Sequence, residues 1–431
     1  MQRGTTFGAA GLITSIAVVM ALALAPAASA VYPDPNPWLQ NRLLVMAHQG
    51  GEDEAPSNTM FALKSAIQDR GADSLELDVN LSKDGQLMVI HDDTWKRIAC
   101  TDALCPGPDA STEQHRPQTE VNELTLAELQ ALDAGYWFRP GSYSHDYSEP
   151  DSAYPYRGMR TGDVPPPPGY TAQDFEIPTL RQVLNTFPDI PINIEIKMIK
   201  TTTGTAGGCT TDNGIQYCDD PDSSMVVADK LAALLNEAKY ASRDDLIVVS
   251  FSDALLDEFH RMDGPPYVAL APGVDDTTAF GLAGTLPDPD VAAFQVPPDQ
   301  MVSGHNIQVP ELLLGDRSAH CLGYAVHIWT NGDQDETPAA YERFYNSGAD
   351  GVMTSKPSQL RAWMEANGVT SPDGRDPLTW PKQCPVQRAT PTPVQTPPAT
   401  TTKKKCKKAK KRSTARAAKK KWHKCKKAKK R

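Results

Sequence analysis

Short apolar runs alternate with helix-like stretches along most of this 431-residue chain. Runs at 43–47, 74–79, 86–91, 192–197, 246–251, 267–271, 291–296, 324–329 and 351–354 are rich in Val, Ile and Leu and read as strands. Between several of them, apolar residues recur at helical spacing: 58–70, ending before Gly71; 126–132, after a Thr125 N-cap; 225–238; and 254–261. Strand–helix alternation of this kind predicts an α/β fold with a parallel sheet, a TIM (β/α)8 barrel. Nine candidates for eight strand positions leave one surplus, and 267–271 or 291–296 is the expected one.

Two connections exceed the usual few residues. The stretch 100–176 follows the third candidate strand, and 201–224 follows the fourth. Loops after strands open on the catalytic face of a barrel, so both inserts are expected either as lids or as surface decoration. The barrel is expected over 41–368. A Pro/Thr linker follows at 389–402.

Charge divides the chain further. The formal net charge is -10, yet 403–431 holds 18 Lys and Arg and no Asp or Glu. The remainder therefore carries 25 basic against 53 acidic residues. The tail lacks apolar periodicity and is expected to be disordered. It reads as an attachment to an anionic cell-wall polymer or a membrane surface, or simply as a solvated charge run. At the other end, Arg3, an apolar run and Ala28-Ser29-Ala30 read as a signal peptide over 1–30. Secretion follows as the expectation, with retention at the cell wall or outer surface through the tail, and no nucleic-acid partner. Eight cysteines fit disulfides in that compartment. Cys100 with Cys105 and Cys209 with Cys218 are the natural local pairs; Cys321 with Cys384 and Cys406 with Cys425 would complete the set.

The chemistry sits at strand ends. Glu76 and Asp78 are two apart, so both point to one face of their strand, with Leu75, Leu77 and Val79 on the other. Glu195 and Lys197 repeat this on the next strand. Carboxylates turned inward are costly to bury unless something neutralises them. Glu76, Asp78 and Glu195 form an all-oxygen set suited to one hard divalent cation, Mg²⁺ or Ca²⁺. His48 and His91 close strands on the same rim, where imidazoles can move protons. Asp92 could orient His91 or cap a turn. His327 alternates with Trp329 and reads as core, Trp329 as a substrate platform or as core. The remaining histidines read as surface or loop residues.

In order, His48-Gln49-Gly50, Pro56-Ser57-Asn58-Thr59, Gly71-Ala72-Asp73, Glu76-Leu77-Asp78, Lys83-Asp84-Gly85, His91-Asp92 and Arg97 resemble the motifs of the glycerophosphodiester phosphodiesterase family. So do Leu124 to Leu129 with Ile177 to Leu180, Asn193 to Lys197, Trp329-Thr330-Asn331 and Gly348 to Thr354, and the match runs from about Leu43 to Leu360. The resemblance implies a TIM barrel that cleaves glycerophosphodiesters, small or lipid-derived, to glycerol 3-phosphate and an alcohol. It assigns the metal to Glu76, Asp78 and Glu195, general acid and base to His48 and His91, and substrate contacts to Gln49, Lys197, Trp329 and Arg97. Three positions depart from the family pattern: Gln49 stands for Arg, Ser57 for Glu and Ser355 for Asp. A lysophospholipase D or sphingomyelinase D-like phosphodiesterase would share the barrel and the metal trio. For fatty substrates, Tyr136-Trp137-Phe138 is a candidate apolar entrance, or else plain loop packing. A non-catalytic surface-binding protein is the rival from another class.

Overall fold

The computed structural model describes residues 36–39, 43–105, 119–141, 149–204, 207–212, 215–262, 264–265, 268–380 and 384. The expected leader and linker, the basic tail and the expected Cys406–Cys425 pairing lie outside them. So do Tyr267, His115, His145 and His423.

Nine strands share the main sheet: β1 (Leu44–Ala47), β2 (Ser74–Leu81), β3 (Leu87–Val89), β4 (Ile192–Ile196), β5 (Leu246–Val249), β6 (Ala269–Ala271), β7 (Ala293–Val296), β8 (Ala325–Trp329) and β9 (Gly351–Thr354). All but β3 are parallel, in the order β7-β8-β9-β1-β2-β4-β5-β6. A parallel bridge between Leu270 and Val291 joins the two ends, so the sheet closes into the expected barrel.

The surplus strand is neither of the two expected. Both 267–271 and 291–296 supply barrel strands, whereas 86–91 supplies β3, which pairs antiparallel with β2 from Val79↔Val89 to Leu81↔Leu87. The link 82–86 turns at Gly85, whose φ is +76°. It is far shorter than the dozen or more residues that a parallel crossover requires. The two inserts therefore follow the second and third barrel strands, not the third and fourth.

Alternation along the strands sorts the side chains. Leu75, Leu77, Val79, Ile192, Ile194 and Ile196 point outward into the main core beneath the helices. The inward set at the start of the strands is small: Ala269, Ala271, Ala292, Ala293 and Ala325 leave a gap that Trp38 fills. Asn36 fastens that plug, donating from Nδ2 to the carbonyls of Ala292 at 2.7 Å and Gly323 at 2.9 Å. His327 is wholly buried against the Trp38 ring, as a core residue should be. Burial holds it down to about 4, so it is neutral there.

Among the described residues of the inserts, little stands over the mouth of the barrel. Part of 100–176 packs into its own core around Trp95, Leu129, Tyr136, Trp137 and Tyr154. The Tyr136-Trp137-Phe138 cluster is buried. It is therefore packing, not an entrance. Disulfides close Cys100–Cys105 and Cys209–Cys218 within the inserts.

Beyond residue 368 the chain stays on the barrel, tied by Cys321–Cys384. Beside that bond His320, expected at the surface, is buried. Its Nε2 meets Asp350 Oδ2 at 2.8 Å, and its Nδ1 faces the carbonyls of Pro377 at 3.2 Å and Trp380 at 3.1 Å. Burial alone would lower its pKa, but Asp350 and the two carbonyls outweigh it and hold it above the ordinary value. An imidazolium held this way stabilises the fold fully below about pH 6.5. That contribution is lost as the pH rises through the raised value. His320→Gln is expected to lower stability by roughly 1–3 kcal/mol near pH 5.5. It should also lose less than the wild type between about pH 6 and 9 in denaturant unfolding; parallel pH profiles would contradict this.

Candidate metal centre and active site

The inward face changes character toward the ends of β2 and β4. Asp78 sits in register with Glu195, and Glu76 with Asn193. Carboxylate oxygens of Glu76, Asp78 and Glu195 all lie within 4.8 Å of one another, and Glu76 and Asp78 are buried. Lys197 reaches back over them, with Nζ 2.8 Å from Glu195 Oε1 and 3.5 Å from Asp78 Oδ1. One ammonium faces three carboxylates. Burial and then Asp78 drive the Glu76 carboxyl well above its ordinary range, with His48 pulling the other way. Burial also pushes Asp78 upward, but His91, Lys197 and His48 outweigh it and hold that carboxyl low. Asp78 Oδ1 accepts no hydrogen bond from any described residue. A clustered, all-oxygen set of this kind fits a hard divalent cation.

The turn after β1 is shaped around this cluster. Gln49 adopts φ +50°, which aims its backbone N–H at Glu76 Oε2, 2.9 Å away. Gly50 follows at φ +82°, and a Cβ there would meet Ala62 Cβ at 2.8 Å. The helix Met60–Gln68 can therefore press against the turn only with glycine at this position. The loop before that helix brings Asn58, at φ +58°, to donate from Nδ2 to Asp78 Oδ2 at 3.0 Å. Thr59 caps the helix by accepting from the Ala62 N–H.

Both histidines are held alike. His48 Nδ1 lies 2.5 Å from Glu52 Oε1, and Nε2 faces Glu76 Oε2 at 3.8 Å. His91 Nδ1 lies 2.7 Å from Asp92 Oδ1, and Nε2 is 3.2 Å from Lys197 Nζ. Each ring is anchored through Nδ1 by a carboxylate and turns Nε2 toward the acidic cluster. Burial pushes His48 down, but Glu52 and Glu76 prevail and hold it well above the ordinary histidine value. Burial pushes Asp92 up, but Arg97 and His91 outweigh it and keep it ionised. The antiparallel return of β3 is what delivers His91 beside Asp78: the Ile90 N–H donates to the Asp78 carbonyl.

These groups stand at one end of a cavity of about 1010 Å³. His48, Glu76, His91, Glu195 and Lys197 line it, as does Trp329, whose ring meets the edge of Phe251 at 6.0 Å. Of the described residues of the two inserts, only Gly141 reaches the cavity. The sequence model of the Glycerophosphoryl diester phosphodiesterase family matches residues 48–359. The chain belongs to that family. A glycerophosphodiester phosphodiesterase of Caldanaerobacter subterraneus is 26% identical over 74% of this chain and 96% of its own length. A human lysophospholipase D is 24% identical over 74% of this chain and 85% of its own. A crystal structure from Silicibacter pomeroyi shares the fold at 19% identity, covering 79% of this chain and 97% of that one, with a TM-score of 0.51.

Within the family frame, the three departures have distinct surroundings. The Gln49 side chain is buried and does not line the cavity; only its backbone meets the site. Ser57 is buried beside Asn58. Ser355 donates from Oγ to Glu52 Oε1 at 2.8 Å, so it helps hold the carboxylate that holds His48. Arg97, expected to touch substrate, is instead engaged with Asp92. Sequence reasoning overlooked Glu52 and Asn58. A carboxylate four residues after His48 was the available signal for the first. The second lay inside a quoted motif but was given no role. Partners that orient metal-binding side chains typically account for 10- to 100-fold in affinity. Asn58→Gly keeps the left-handed backbone and deletes the Asp78 partner. It is expected to weaken Mn²⁺ or Ca²⁺ binding by about that factor in calorimetric titration; unchanged affinity would contradict the role.

Proposed function

We propose that the protein hydrolyses glycerophosphodiesters to glycerol 3-phosphate and an alcohol. Glu76, Asp78 and Glu195 would hold one Mg²⁺ or Ca²⁺. The single observation that carries the reading is the pair of carboxylate-anchored imidazoles facing one carboxylate trio, of which Glu76 and Asp78 are buried. The bound cation would supply charge neutralisation at a phosphate oxygen. His48 and His91 do the proton work. One takes the proton of the glycerol 2-hydroxyl as that oxygen attacks phosphorus. The other protonates the departing alkoxide. The two exchange roles when water opens the resulting cyclic phosphate. Lys197 places its ammonium at the mouth of the trio, where it favours a phosphate oxygen over water. Trp329 offers a ring to the glycerol backbone.

Glycerophosphocholine turnover should vanish with chelator and return with added Mg²⁺ or Ca²⁺. His48→Ala and His91→Ala should each lower kcat by roughly 10²- to 10⁴-fold, measured by choline release. Chelator-resistant turnover, or near wild-type rates in both variants, would overturn the reading.

We also propose that the protein is secreted and held at the outer surface by residues 403–431. The leader-like pattern at 1–30 and the unbroken positive charge of the tail support this. Full-length protein should bind isolated cell-wall material in low salt and be released as salt rises, while a chain truncated at 402 should not bind. Equal release of both at every salt concentration would rule out anchoring.

A further inference from the structure

Two amides lie deeper in the barrel than the carboxylate trio. Asn193 stands on the inward face of β4, two residues before Glu195 and in register with Glu76. Gln295 stands on the inward face of β7, where its neighbours Phe294 and Val296 point out into the main core. β4 and β7 are not adjacent in the sheet. The two side chains nevertheless meet inside the barrel, with Gln295 Nε2 donating to Asn193 Oδ1 at 2.8 Å. Asn193 is buried and Gln295 half-buried, yet both line the cavity. Among the described residues, each amide side chain has the other as its one hydrogen-bond partner. Their remaining polar atoms open on the cavity and are not sealed in the wall. Gln295 is in register with His327, so Trp329 stands one layer above Gln295, as Glu195 does above Asn193.

A pair of amides joined in this way presents a definite complement. One N–H and one carbonyl are spent on each other, so the N–H group of one amide and the carbonyl of the other remain. Turning both amides over exchanges their identities and leaves the same complement. A hydroxyl matches it, because a hydroxyl both donates and accepts. A phosphate oxygen only accepts, and a quaternary ammonium does neither. Polar atoms at this depth cost free energy unless a ligand pairs with them. Distance then selects the hydroxyl. Two strand residues, about 6.6 Å, separate Asn193 from Glu195. With the phosphate at the trio, a glycerol chain directed down the barrel carries its terminal oxygen to the amides, and the leaving alcohol points to the mouth. We propose that Asn193 and Gln295 read the terminal hydroxyl of the glycerol unit, the one that neither bears the phosphate nor attacks it. This rests on the phosphodiesterase reading above. The pair is then a specificity determinant for an intact glycerol end. Holding that oxygen also turns the 2-hydroxyl toward phosphorus, so the pair orients the substrate as well as binding it.

Two substrates that differ in one oxygen provide the test. Choline release is followed from glycerophosphocholine and from 2-hydroxypropyl phosphocholine, which keeps the attacking hydroxyl and lacks the terminal one. A site built to hydrogen-bond a hydroxyl rejects the analogue without it, because its own polar groups are left unpaired, so the wild type should favour glycerophosphocholine by at least about 100-fold in kcat/KM. Gln295→Met and Asn193→Leu each replace an amide by an apolar side chain of similar size. Each should narrow that preference to less than about tenfold by slowing glycerophosphocholine. A loss shared by both substrates, with the preference intact, marks a purely structural link between strands and overturns the inference. Comparable turnover of both substrates by the wild type also overturns it, leaves the phosphodiesterase reading standing and requires no variant to fold. Turnover of neither substrate removes both. Calorimetry on the Mn²⁺-loaded wild type gives a readout independent of turnover. Glycerol 3-phosphate should bind at least about tenfold more tightly than 2-hydroxypropyl phosphate, and equal affinity overturns the inference.

Discussion

Three carboxylates turned toward the inside of a barrel, with one lysine against them, set the terms for everything around them. Glu76 and Asp78 are buried, and Glu195 is in register beside Asp78. Carboxylates removed from water need hydrogen bonds, counter-charges or a metal. The surrounding chain supplies what it can. The turn at 48–51 bends into the left-handed region and gives Glu76 a backbone N–H. Asn58 does the same to give Asp78 a side-chain donor. Lys197 and the two imidazoles contribute positive charge. What remains is a cluster of carboxylate oxygens within 4.8 Å of one another, with Asp78 Oδ1 accepting no hydrogen bond from any described residue, and that cluster is the basis for the proposed cation.

The barrel makes this arrangement rigid by separating its two ends. At the start of the strands, alanines and the Trp38 plug fill the interior with apolar matter. At the other end the inward residues become acidic and face open space. Carboxylates on strands move less than carboxylates on loops, so the trio is preorganised before any ligand arrives. The histidines come from segments that leave the strands, and each depends on its own anchor. Glu52 in turn depends on Ser355, just after the last strand. The first and last barrel strands are neighbours. The closure of the barrel is therefore what completes the His48 side of the site.

Much of this could be read from the chain. The period-two placement of Glu76, Asp78 and Glu195 identified the inward face, and the outward Leu, Val and Ile confirmed it by exclusion. The location of nearly every barrel strand followed from the same periodicity. What the pattern could not distinguish was direction. The residues of β3 look like those of any barrel strand, and only the shortness of the 82–86 link fixes them as an antiparallel return. His320 was misplaced for a related reason. Its partners, Asp350 and the carbonyls of Pro377 and Trp380, lie far away in sequence. For the Tyr136-Trp137-Phe138 cluster, composition reports only that aromatic residues are close together, and burial decides for packing over an entrance.

The central claim is that the acidic trio is a cation site built into the fold. Mn²⁺ prefers the same oxygen ligands and scatters X-rays anomalously. Crystals soaked in Mn²⁺ should show one strong anomalous peak in contact with carboxylate oxygens of Glu76, Asp78 and Glu195 together, and Glu76→Gln crystals should lose it. A wild-type crystal with Lys197 Nζ filling that position and no peak among the three carboxylates would contradict the account.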